Sequence, residues 1–435
     1  MAAANRFHAG RRFGPLTGAL VFSATFGMAC SEHPVSPARI DAPSASLSAS
    51  PAFSTSARPA ETSTTVHWNE VARALVALNN TNGPMASRVY ALVSVAQFGA
   101  ALAADGHEHG RDSDGGNGKG KTVHDAIIKA STDVLTALFP DAASAAVIAA
   151  AQQSGPTFPG GQRASHGNDH KNGDEIGAAV ARAVLARAAT DGSAAANCPS
   201  TPPLPASQFW HDDAVPPNPQ ALLPCFGNVR TWLQIDVKQF RAGPPPPFGS
   251  AGFLQGLAEV RQISDTRTAA QLAIVDKWLD GNNTLQPPGR WNLIASDLIA
   301  RHHLGDADAA QVLAVLNIAM MDTHVACWDR KFTFWELRPW MADPLITTPR
   351  GRPHHPANPS GHACAGGAGS GALAGLFRAE RDSLLALGDE QGFSTVLSGV
   401  HFRFDVDTGL GIGRTIAAKA LALHDLDDFI EALTR

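Results

Sequence analysis

Apolar residues along most of this chain recur at the three- and four-residue spacing of amphipathic helices, and no alternating run predicts a strand. The pattern predicts helices over 66–78 and 85–104, the second with Val89, Leu92 and Val93 on its apolar face and Phe98 farther along. Others follow at 122–138, 142–153 and 174–190, the last opened by acids and closed by Asp191-Gly192. Beyond residue 250 they are predicted over 253–263, 268–280, 289–301, 306–330, 360–377 and 402–423. Stretches rich in glycine, histidine and charge at 105–121 (His107, His109) and 155–173 (His166, His170) read as solvated loops rather than metal sites. Proline makes 198–224 irregular and 243–247 a rigid spacer. No fixed-period repeat is present. The expectation is an all-α protein, two packed helical bundles forming one compact unit, with an N-terminal helical region over 65–250 and a C-terminal core over 251–435.

The first 64 residues read differently. Arg6, Arg11 and Arg12 precede a mostly apolar stretch from Phe13 to Ala29, and Cys30 follows Gly27-Met28-Ala29. That resembles a bacterial lipoprotein signal over 1–30, joined to a Ser/Pro/Ala-rich disordered tether over 31–64. The expectation is export, to the periplasm or to a membrane surface through a lipidated Cys30. No internal run reaches the roughly 20 apolar residues of a membrane span.

Composition narrows this further. The 435 residues are 44% hydrophobic, enough for a large core. A net charge of −5 gives no reason to expect a nucleic acid partner. Cys198 and Cys225 lie in proline-rich sequence, where a disulfide is plausible in an oxidising compartment. Cys327 and Cys364 fall in helical sequence and read as small core residues.

Three motifs carry chemistry. Lys331 is separated by six residues from Arg338-Pro339 and stands just beyond the predicted helix 306–330, against an aromatic run. An ammonium and a guanidinium at this spacing can hold two edges of an oxyanion. Ser360-Gly361-His362 opens a helix of small residues, so free N–H groups, the dipole end and an imidazole converge on one point. The glycines that follow are costly in an exposed helix and imply close helix packing. His401 and Asp405 lie four apart on one helix face, where the carboxylate can fix the imidazole tautomer. Taken singly, each motif has an ordinary structural reading: ion pairing, a capped helix start, a surface His–Asp pair.

Taken together, Trp328-Asp329-Arg330-Lys331, Arg338-Pro339, His355-Pro356, Pro359-Ser360-Gly361-His362-Ala363 and Gly399-Val400-His401-Phe402-Arg403-Phe404-Asp405 resemble the vanadium-dependent haloperoxidase and type-2 phosphatidic acid phosphatase superfamily. The likeness is nearest to soluble bacterial haloperoxidase-like proteins and implies a vanadium chloroperoxidase-like fold. It implies vanadate as cofactor, with His401 as axial ligand to vanadium, or as the nucleophile of a phosphatase. Lys331, Arg338, Ser360 and the Gly361 N–H would hold the equatorial oxygens. His362 would be the acid–base, Asp405 would orient His401, and Trp328 and His355 would line a halide site, the histidine favouring bromide. Hydrogen peroxide, halide and a small organic molecule would be the partners.

One residue departs from the pattern. The family usually carries Arg six positions before the last histidine, and here Thr395 stands there after Ser394. Losing one charged contact of roughly 1.5–3 kcal/mol would weaken anion affinity by about one to two orders of magnitude. Three readings stay open: a haloperoxidase, an exported phosphomonoesterase working through phosphohistidine, and a degenerate anion-binding protein.

Overall fold

The computed structural model describes residues 63–108, 116–156 and 168–422. The expected signal, and most of the tether, lie outside them. Thirteen α-helices account for the described architecture, with one isolated bridge between Phe209 and Glu336 and no strand among the described residues. The first five are α1 (Thr64–Leu78), α2 (Gly83–Glu108), α3 (Gly116–Leu138), α4 (Ala142–Ser154) and α5 (Asn168–Ala189). An irregular segment with short 3₁₀ turns leads to α6 (Ala251–Thr266), α7 (Ala269–Lys277), α8 (Gln286–Arg301) and α9 (Asp306–Phe334). The chain then forms α10 (Pro339–Ala342), α11 (Gly361–Leu376), α12 (Arg381–Leu397) and α13 (Arg403–Leu421).

The starts of these helices follow local chemistry. Ser250 accepts from the Phe253 N–H at α6, and Thr268 and Gln271 form a reciprocal capping box at α7. Asp141 caps α4 through the Ser144 N–H. At α9 the first-turn Asp306 accepts from the Ser63 hydroxyl (2.6 Å) and lies 3.5 Å from His124, tying α1 and α3 to the positive end of that helix.

Helix α9 is the shared spine of the two bundles. It packs on α2 and α8 toward the N-terminal helices and on α11 and α13 toward the C-terminal ones. Nearly every residue from Ala309 to Trp328 is buried. A chain of buried amides crosses this junction: Asn69 Nδ2 donates to Asn292 Oδ1 (2.8 Å), Asn292 Nδ2 to Asn317 Oδ1 (2.7 Å), and Asn317 Nδ2 to Ser94 Oγ (2.7 Å). Paired in this way, polar groups fix the mutual register of α1, α2, α8 and α9 at little desolvation cost.

Glycine permits the close approach the sequence implied. A Cβ on Gly367 of α11 would stand 2.5 Å from the Leu410 carbonyl of α13, and one on Gly388 of α12 would stand 2.7 Å from the Gly366 carbonyl.

Several expectations need correction. Lys331 does not lie beyond the helix: α9 continues to Phe334 and holds Lys331 in its last turns, ending where Trp335 takes a left-handed conformation (φ 52°). That backbone is strained for a bulky residue, and burial against Trp210 and Phe332 offsets the cost. Helix α12 was not predicted at all, because Gly388 and Gly392 weaken its helical signature. The loops at 105–121 and 155–173 are shorter than expected, since α2 runs to Glu108, α3 starts at Gly116 and α5 at Asn168. His109 and His166 lie outside the described residues. Helices α2 and α9 do contain windows long and apolar enough for a membrane span, but both are core helices, mostly buried.

Cys198 and Cys225 form the expected disulfide. Cys327 and Cys364 are not free core thiols: they form a second disulfide, joining α9 to α11 across 37 positions of sequence.

Candidate active site

The C-terminal end of α9, the turn it feeds, the start of α11 and the start of α13 meet around His401. The imidazole is 2% exposed and is held from both sides. Its Nδ1 lies 3.1 Å from Asp405 Oδ2, and its Nε2 lies 2.9 Å from Arg338 Nη1. A guanidinium N–H can only donate, so Nε2 is the lone pair and Nδ1 carries the proton. Burial, then Arg338 and Lys331, hold the His401 pKa well below the usual imidazole range. The ring is therefore neutral at pH 7, with a nucleophilic Nε2.

Asp405 accepts from three donors: Nδ1–H of His401, the Phe402 N–H (3.0 Å) and Asn358 Nδ2 (3.0 Å). Glu336, buried beside it, was missed by sequence reasoning. Burial and the neighbouring Asp405 charge raise its carboxyl well above the usual range. Burial raises Asp405 as well, but its three donors leave the proton on Glu336. The one signal was an acid within the apolar run before Arg338.

The two expected anion-holding cations are engaged with the protein itself. Lys331 is fully buried, and its Nζ donates to the carbonyls of Pro356 (2.8 Å), Ala357 (2.9 Å) and Pro359. It thereby ties α9 to the loop that launches α11. Burial and Arg338 press its pKa down, while three carbonyls at its three N–H groups favour the ammonium. Arg338 donates to the Val400 carbonyl (2.7 Å), to the His355 carbonyl (2.8 and 3.0 Å) and to His355 Nδ1 (3.1 Å), besides His401. Burial lowers its pKa to about 9, so it remains charged.

Ser360 caps α11 by accepting from the Ala363 N–H, and its Oγ stands 3.3 Å from Thr395 Oγ1. The first-turn N–H groups of Gly361 and His362 have no partner within the helix. His362 is half-buried, its Nε2 lies 3.3 Å from the Leu279 carbonyl, and burial lowers its pKa below the usual range. His355 is lowered further, by burial and then by Lys331 and Arg338. His355 Nδ1 lies 3.1 Å from Arg338 Nη2 and 3.3 Å from the Pro356 carbonyl; the guanidinium can only donate and is the nearer partner, which favours the proton on Nε2.

Gly361, His362, His401, His355, Trp328 and Thr395 all line one cavity of about 580 Å³; Lys331, Arg338 and Ser360 lie behind its wall. Trp328 offers its ring rather than its N–H, which donates to the Leu222 carbonyl (3.1 Å). His355 sits 5.2 Å from that ring on one side, and His324, which the sequence did not single out, 5.9 Å away on another.

At the position lacking arginine, Thr395 donates to the Gly392 carbonyl (2.7 Å). Arg403 does not replace the missing charge: it pairs with Glu259 and lies over the Phe393 ring, away from the cavity. Thr395→Arg should therefore raise phosphate or vanadate affinity about ten- to a hundredfold, measured by equilibrium titration. An unchanged affinity would mean that position 395 does not face the anion.

Residues 308–427 match the family model of the PAP2 superfamily. Among solved structures, a bacterial vanadium-dependent iodoperoxidase superposes with a TM-score of 0.66 at 18% identity, covering 84% of this chain and 97% of that one. A bacterial vanadium-dependent chloroperoxidase gives 0.62 at 14% identity in its apo form and 0.58 at 15% in its holo form, each covering 82% of this chain and 94% of that one. No curated protein sequence matches. The PAP2 superfamily match over residues 308–427 is thus set within a helical fold shared with bacterial vanadium-dependent haloperoxidases.

Proposed function

We propose that this chain is a vanadium-dependent haloperoxidase that oxidises halide, bromide by preference, with hydrogen peroxide. The observation that carries this reading is the neutral His401 on the cavity lining, its Nδ1–H on Asp405 and its Nε2 lone pair accepting from Arg338. The residues fit an oxyanion there in kind: a lone pair for the central atom, the Arg338 N–H already resting on it, and the first-turn N–H groups of α11 on the same cavity. Vanadate, when bound, would supply the Lewis acidity that activates peroxide.

The remaining roles belong to the chain. Arg338 would exchange its bond with His401 for an anion oxygen, and Gly361 N–H would hold another. Ser360, buried behind the wall, sets the direction of those amides through its cap. Lys331 would act through the Pro356–Pro359 loop and by its charge, since three carbonyls take its N–H groups. His362, with Nε2–H toward Leu279, is left with Nδ1 as proton acceptor for incoming peroxide. His355 Nε2–H is the donor a halide would meet beside Trp328. Two disulfides support export to an oxidising compartment, periplasmic or tethered at the membrane through Cys30.

A phosphomonoesterase is the second reading, favoured by the family match over the site-bearing segment alone. It would need a protonated His362 to release the leaving oxygen, and burial keeps that ring neutral at pH 7. The discriminating experiment is peroxide-dependent bromide oxidation titrated with vanadate, beside hydrolysis of an aryl phosphate. As a base, His362 should sustain oxidation at pH 7 and lose it as pH falls through its lowered pKa. Aryl phosphate hydrolysis that rises with acidity, without bromide oxidation at any vanadate concentration, would establish the phosphatase instead. Vanadate binding without either turnover would leave a degenerate binder.

A further inference from the structure

The cavity holds one imidazole that anion chemistry does not use. His324, on α9 one turn before Trp328, is 2% exposed yet lines the cavity wall. Its Nδ1 lies 2.8 Å from the Met320 carbonyl, so Nδ1 carries the proton and Nε2 is a lone pair. Nε2 has no hydrogen-bond partner among the described residues. Burial, assisted by the nearby Lys331 charge, lowers the His324 pKa to about 4, so the ring stays an acceptor at any neutral pH.

A buried lone pair selects what approaches it. It repels anions, which rules this corner out as an extension of the oxyanion site. Ammonium groups are disfavoured by Arg338 and Lys331 close behind the wall. A neutral O–H satisfies it without carrying charge into the cavity. The rest of the corner suits the body of such a molecule: Trp328, Trp278 and Leu279 line the same space, and about 580 Å³ admits a substituted ring.

We infer that His324 is a specificity-determining residue that accepts a hydrogen bond from the hydroxyl of an uncharged, phenol-type organic substrate held beside Trp328. The inference deepens the reading above and rests on it for what is done to the bound molecule. Recognition itself is independent of turnover.

The test is equilibrium binding of phenol and of anisole, its methyl ether, to the full chain without vanadate or peroxide. Phenol should bind about five- to tenfold more tightly, the worth of one buried hydrogen bond. The His324 Nε2 resonance should move on adding phenol and stay on adding anisole. In His324→Phe, which keeps the aromatic packing and removes the acceptor, the ratio should fall to near one. Equal binding of the two ligands to the unaltered protein overturns the inference, and that comparison needs no variant. So does a ratio that survives in His324→Phe. A phenol preference without bromide oxidation would sink the haloperoxidase reading and leave the hydroxyl site standing.

Discussion

Replacing His401 with alanine should lower turnover by at least about a thousandfold and abolish anion binding at the site. The ring supplies the one lone pair that Asp405 and Arg338 jointly orient, and no other cavity group has both partners. Asp405→Asn separates chemistry from packing. An amide can present its NH₂ to Nδ1, which would move the ring proton to Nε2, where it faces the Arg338 N–H across 2.9 Å. Two donors then confront each other, and the lone pair points away from the cavity. The expected result is a loss nearly as large as that of His401→Ala, with a smaller effect on thermal unfolding. Anion binding and turnover are measured side by side, with unfolding as the control. Retention of more than a tenth of wild-type turnover in His401→Ala would remove His401 from the mechanism.

Much of this site was legible because its residues sit at helix termini, where sequence signals are strong. Pro359-Ser360 announces the start of α11, and the four-residue spacing of His401 and Asp405 is realised as a 3.1 Å contact. What the sequence concealed depends on long-range geometry. Lys331 was read as an anion donor because its charge is visible, while the carbonyls that absorb its N–H groups come from positions 25 to 28 residues away. His324 and Glu336 look like incidental polar residues until burial gives them fixed protonation. Arg403 could be placed only once Glu259, 144 residues away, was seen beside it. Helix α12 was lost because its glycines serve α11 rather than their own helix. The same neighbour, α11, conceals the pairing of Cys327 with Cys364, since nothing in a helical stretch marks which residue will face a second helix.

That disulfide should be a major stabilising link. In the chain-entropy account, closing a loop of this length stabilises the fold by about 3–4 kcal/mol, and the separation of 37 residues is long enough for the full effect. Cys327→Ala with Cys364→Ala should cost about that much in denaturant unfolding, plus a small term for the volume lost at two fully buried positions. Alanine is the right replacement, because serine would place two hydroxyls in the core. Reductant added to the native protein should change little, since neither sulfur-bearing residue is exposed; added during unfolding, it should reproduce the loss seen in the variant. The effect should reach the site as well. Cys327 immediately precedes Trp328, and Cys364 follows His362 by two positions, so the bond pins two walls of one cavity together. Phenol binding should therefore weaken in the double variant even where the protein remains folded. A variant as stable as the unaltered chain, or free thiols at both positions in the denatured, unreduced protein, would show that the bond does not form.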